Sequence, residues 1–144
     1  MGKRLGLLLM RMLISVNLLF GAILLKFAGV PDSVALFTQM SQSLDSFVPE
    51  TVLRLASGGF EVVVALLLLF PTKARLGAWL TAVWMTVVIL SHIFVLGYGW
   101  FFVDAVMLMA VALVYLSLTR RQSHVPDTSG QVIGLHRPSP PNPA

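Results

Sequence analysis

The residues with chemical potential in this chain are ionisable side chains set inside or at the edge of long apolar runs: Arg11, Lys26, Arg54, Glu61, His92 and Asp104. A charged residue at the middle of a membrane-spanning helix costs at least ~2.5–3.5 kcal/mol on insertion scales. Such groups need partners, and they are candidates for proton transfer, ligand binding or electrostatic clamping between helices. Lys26 and Arg54 balance Glu61 and Asp104 in charge, and His92 can titrate. Arg11 is expected to snorkel to the inner surface, and snorkelling to the outer headgroups is an alternative for Lys26 and Arg54. Arg54 and Glu61 are two helical turns apart, too far for an easy direct pair, so an ion pair is expected between helices.

At about 100° per residue, helical faces can be compared directly. Arg54, Gly58, Glu61 and Ala65 share one stripe. Lys26 lines up with Ala22 and Ser15, His92 with Met85, Thr81 and Ala78, and Asp104 with Leu108, Val111 and Tyr115. Small or polar residues dominate the first three stripes, as expected of inward faces in a bilayer. Asn17 falls away from the Lys26 stripe and is expected at a second helix contact or a subunit interface. If the four stripes face one another, Lys26, Arg54, Glu61, His92 and Asp104 converge on a polar pocket in the outer half of the bundle.

The elements that must position these residues are four apolar stretches, about 5–27, 51–70, 74–96 and 100–118. Each is long enough to cross a hydrocarbon core ~30 Å thick at about 1.5 Å per residue. The turns Pro71–Thr72–Lys73 and Gly97–Tyr98–Gly99 are short and force antiparallel neighbours. The fold class expected is all-α: a polytopic membrane protein built as an antiparallel four-helix transmembrane bundle over residues 1–121. The first connection is long. After Pro31, with Asp32 or Ser33 as cap, apolar Val34, Phe37, Met40, Leu44 and Phe47 recur at helical spacing before Pro49. That pattern predicts a short amphipathic helix roofing the outer mouth. Residues 122–144 are polar and proline-rich and are expected to form a disordered cytoplasmic tail. Its Pro138 and Pro141 spacing and its His124 and His136 carry no weight for function.

Composition agrees. Of 144 residues, 57% are hydrophobic and only 11% charged, and mean hydropathy is +0.88. Soluble domains carry about 45–50% apolar and about 25% charged residues, so a soluble globule lacks its polar cover here. With no cysteine, disulfides, thiolate zinc sites and iron–sulfur clusters are excluded. No metal site is expected. The methionines suit gap filling rather than copper ligation, and one intramembrane histidine cannot give bis-histidine haem ligation.

Orientation follows from the cations. Lys3, Arg4, Lys73, Arg75, Arg120 and Arg121 flank one side, whereas the first loop carries Asp32, Asp45 and Glu50. Both termini are therefore expected in the cytoplasm, in the cell (inner) membrane. Trp100, Phe101 and Phe102 suit the outer aromatic belt, and Trp79 and Tyr115 the inner one. The apolar run after Lys3–Arg4 is expected to be a retained span rather than a signal peptide, because it is long, holds Arg11 and lacks a small-x-small site. The net charge of +4 is accounted for by juxtamembrane residues, so nucleic acid is not an expected partner.

The chain resembles the DoxX-like family of small four-span membrane proteins. The resemblance rests on Lys26–Phe27–Ala28–Gly29, on Arg54 with Gly58–Gly59 and Glu61 before Ala65–Leu66–Leu67–Leu68, and on Pro71, Leu76–Gly77–Ala78, Met85 and Ser91–His92, over residues 5–118. It implies a helical bundle in membranes and a link to quinone-dependent oxidation of sulfur compounds and to membrane redox complexes.

Three functions stand against one another. The first is a subunit supporting a quinone-linked redox process, with His92, Arg54 and Lys26 as donors to a quinone and Glu61 or Asp104 as proton route. It has no electron carrier of its own and needs a separate redox protein as partner. The second is a non-catalytic anchor or assembly factor, as a homo-oligomer or within a redox complex. The third is a small proton-coupled transporter, disfavoured because the polar residues stop near mid-depth.

Overall fold

A computed structural model describes residues 2–122; the expected proline-rich tail lies outside the described residues. The described chain is helical throughout its long elements. Helix α1 (Gly2–Phe20) continues without a break into a π-helical segment (Gly21–Phe27), and α2 (Pro31–Ser43) follows. After it come α3 (Glu50–Leu69), α4 (Ala74–Ser91) with its own π-helical end (His92–Leu96), and α5 (Trp100–Gln122). Among the described residues, four stretches are long and apolar enough to cross a membrane: Arg4–Phe27, Glu50–Leu69, Ala74–Leu96 and Trp100–Arg120. The molecule is of the multi-pass membrane class, its exposed leucines, valines and phenylalanines suited to lipid.

The four spans close into a ring. Helix α1 packs on α3, α3 on α4, α4 on α5, and α5 back on α1. Small side chains are buried on α4 and α5: Ala74, Ala78 and Ala82 of the one and Ala105 and Ala112 of the other. Lipid tails are as apolar as the helices, so close backbone approach and dispersion contacts hold such helices together. The contact of α4 with α3 is close in this way, and it needs Gly77. A β-carbon there would lie 2.9 Å from both the backbone nitrogen and Cγ of Leu68.

Burial follows the stripes read from the sequence: Gly58, Glu61 and Ala65 are buried, as are Ala78, Thr81, Met85 and His92. Two placements differ. Tyr115 is 5% exposed and belongs to the core rather than to an inner aromatic belt; Trp79 and Trp100 are exposed. Arg11 does not snorkel freely. Its Nε and Nη2 donate to the carbonyls of Leu68 and Leu69, at 2.9 and 2.8 Å, supplying donors to the end of α3 where helical partners run out.

Helix α2 is shorter than its apolar pattern. It starts with Pro31, where the missing N–H does no harm, and Val30 rather than Asp32 or Ser33 occupies the cap. It ends at Ser43, because Asp45 and Ser46 take positive φ values of 51° and 58° and reverse the chain. Ser41 Oγ donates to the Val48 carbonyl at 2.7 Å across that reversal, which buries a serine the pattern put outside. Phe47 then stands fully out of the fold.

Candidate functional site

The π-helical end of α1 sets the site. Ala28 N–H reaches back five residues to the Ile23 carbonyl and Val30 N–H to that of Leu25, the widened spacing of a π-helix. Single π segments concentrate at functional sites because the extra residue per turn re-aims side chains. Here the re-aiming brings Lys26 onto the face of Asn17 and Gly21, and all three line one cavity. A wheel drawn at a uniform 100° puts Asn17 and Lys26 on opposite sides, which is why Asn17 is not separate from the site after all.

Lys26 forms an ion pair with Glu61 of α3, the interhelix pairing expected of these charges. The approach depends on Gly58, one turn earlier on α3. A β-carbon there would come within 2.9 Å of Phe27 Cε1 and 3.3 Å of Lys26 Cβ. Trp84 of α4 donates its indole N–H to the same Glu61 oxygen, Oε1, at 3.0 Å. Its ring is tilted at 45° against Phe60, with centroids 4.8 Å apart. Lys26 Nζ also sits 5.9 Å from the centre of the Phe37 ring, which ties α2 to the ion pair.

On the other side, Asn17 Nδ2 donates to Asp104 Oδ1 at 3.0 Å, linking α1 to α5. His92 Nδ1 lies 2.9 Å from the carbonyl of Val88. A carbonyl can only accept, so Nδ1 carries a proton, and in the tautomer with that one proton Nε2 is an acceptor. The His92 ring packs 6.2 Å from Phe102, itself edge-on to Tyr98.

These groups surround a cavity of about 200 Å³ between the spans and α2. Its polar lining includes Asn17, Lys26, Glu61, His92 and Asp104, and its apolar walls include Leu25, Phe37, Met40 and Leu108. Glu61 and His92 are each only 5% exposed. Of the five site residues expected from the sequence, Lys26, Glu61, His92 and Asp104 thus border one space.

Arg54 does not border it. Its Nε pairs with Glu50, one turn earlier on α3, and its Nη1 donates to the backbone carbonyl of Lys26. That carbonyl has lost its helical donors: Val30 N–H turns to Leu25, and Pro31 has no N–H to give. Arg54 holds the end of α1 in place and offers no donor to a ligand in the cavity.

Asn17, expected at a second helix contact, makes one with Asp104 of α5; the uniform wheel kept it out of the site, and Trp84 is the contributor that was not singled out from the sequence. Trp84 left a usable signal, because an indole N–H deep in an apolar span, away from both interfaces, needs an acceptor. Among the described residues no cluster of three or more histidines or carboxylates could hold a metal.

Fold and site together define a four-span helical membrane protein with a small, partly ionised cavity between its helices. No protein-family model, curated protein or solved structure matches the chain.

Proposed function

We propose that this protein is an integral membrane subunit supporting a quinone-linked redox process, as its resemblance to DoxX-like proteins implies. In this view the spans alternate antiparallel in the cell membrane with both termini cytoplasmic, and α2 acts as an amphipathic cover over the outer mouth. The cavity receives the ring of a quinone-class molecule. The observation carrying this view is one cavity that combines Lys26, Glu61, His92, Asn17 and Asp104 with mostly apolar walls. A ring of this class needs an apolar slot with a few hydrogen-bonding groups, and pockets for such ligands are built that way. At about 200 Å³ the space is below the ~300–1,000 Å³ that encloses a drug-sized molecule, so it suits a ring with its tail left in lipid. Lys26 and Asn17 are the residues that would donate to the oxygens of the ring; His92, expected as a donor, has its Nδ1–H on the Val88 carbonyl and offers Nε2 as an acceptor. A bound quinone would supply the redox chemistry, and a separate redox protein the electrons. Titration of purified protein with a short-chain ubiquinone tests this: binding is expected to weaken at least tenfold in Lys26→Met and Glu61→Gln. Unchanged affinity in both overturns it.

The sharing of one Glu61 oxygen by Lys26 and Trp84 favours a second view, an anchor or assembly factor in which the ion pair is a clamp. It predicts that Glu61→Gln lowers the abundance of the protein or its complex, while the surviving fraction works normally.

A further inference from the structure

We propose that the cavity selects the hydroxyl-bearing, reduced form of its ring ligand, a hydroquinone, over the oxidised quinone. This rests on the quinone-class view above and adds which redox form the wall recognises.

The two sides of the cavity differ in what they have left to offer. On the α4–α5 side the protons are committed. His92 Nδ1–H is held by the Val88 carbonyl, Ser91 Oγ donates to Val87 at 2.9 Å, and Trp84 N–H is taken by Glu61. What remains there are acceptors: His92 Nε2 and Asp104 Oδ2, neither of which receives a hydrogen bond among the described residues. Asn17 fixes Asp104 through Oδ1 and leaves the second oxygen open. Both residues border the cavity.

The α1–α2 side is different. Lys26 spends one of three ammonium protons on Glu61 and Asn17 one of two amide protons on Asp104, so donors are left over. Ser33, buried at the start of α2, adds a hydroxyl that makes no protein hydrogen bond among the described residues.

A quinone carbonyl only accepts. It can use the α1–α2 donors but leaves His92 Nε2 and Asp104 Oδ2 facing a ring that gives them nothing. A hydroquinone hydroxyl both donates and accepts. It can satisfy one side with its lone pairs and the other with its proton. A site that hydrogen-bonds a hydroxyl discriminates against an analogue lacking it, because the polar groups that the ligand covers are then left unpaired.

The test is a calorimetric titration of the protein in nanodiscs, without oxygen, with decyl-ubiquinone and separately with decyl-ubiquinol, empty nanodiscs subtracted. The reduced form is expected to bind about tenfold tighter or more. Asp104→Asn replaces the free acceptor with an amide that can also donate, and it is expected to shrink that preference about tenfold. His92→Phe removes Nε2 and is expected to weaken the reduced form selectively, whereas a merely structural role for either residue moves both forms alike. Equal or tighter binding of the oxidised form by the unaltered protein overturns the proposal while leaving the quinone-class view standing. If neither form binds above empty nanodiscs, that parent view fails and takes the proposal with it.

Discussion

Glu61 accepts the indole N–H of Trp84 on the same carboxylate oxygen that meets the Lys26 ammonium. Three of the four spans therefore meet at one atom. Removing one partner of a buried ion pair costs about 3–5 kcal/mol, because the other charge is left uncompensated, whereas replacing both with apolar groups is often neutral. Glu61→Gln is expected to lower stability by an amount toward the low end of that range, since a glutamine oxygen still accepts from Trp84. The double variant Lys26→Met, Glu61→Gln is expected to recover most of the loss. Thermal unfolding of the purified variants, arranged as a double-mutant cycle, checks this. Additive losses would show that the pair is not coupled.

Much of this arrangement was legible in the residues. Twenty-residue apolar runs broken by Pro71 and Gly97 gave four spans, while α2 begins at Pro31 itself, ahead of the caps at Asp32 or Ser33 that its pattern suggested. Glu61 and His92 were exposed as site candidates by the insertion cost of their charge and polarity. Two physical facts hid the rest. A helical wheel assumes one rotation per residue, and the π-helical Gly21–Phe27 segment breaks that assumption where Lys26 must be aimed. Glu50 was counted as a loop charge, yet it begins α3 and captures Arg54 at i,i+4. A competition between two carboxylates for one guanidinium is decided by helix boundaries, which composition does not fix.

Glycines at two helix contacts predict a graded response. At Gly77 an added methyl meets the backbone of Leu68 at 2.9 Å, and a helix axis must shift to admit it. At Gly58 the nearest atom is the far edge of the Phe27 ring, also at 2.9 Å, on a side chain that can turn. Overpacking of this kind costs roughly 1–3 kcal/mol. Gly77→Ala is expected near the top of that range and Gly58→Ala near the bottom. Melting temperatures of the two variants in one detergent give the order directly, and the reverse order would refute the assignment of Gly77 to the closer backbone contact.

Arg54 supports the site from behind, and its removal should be visible in the backbone of α1 rather than in α3. Pro31 denies a donor to the Lys26 carbonyl, and the Arg54 guanidinium supplies it while its Nε stays on Glu50. The same fork lies against Gly29, whose φ of +66° strains any residue with a side chain and whose β-carbon would stand 3.3 Å from Nη1. Lysine keeps the charge but presents a point rather than a planar fork, so it cannot hold both partners in this geometry. Leaving a buried carbonyl without a donor costs about 1–3 kcal/mol. In Arg54→Lys that cost falls on the segment from Gly21 to Val30, because α3 retains its own backbone hydrogen bonds. Amide exchange followed by mass spectrometry is expected to quicken about 5- to 100-fold over residues 21–30, the kinetic equivalent of that energy, with little change in residues 60–69. Unchanged exchange in residues 21–30 would mean that the π-helical segment is held by packing alone, with the Lys26 carbonyl making no demand on Arg54.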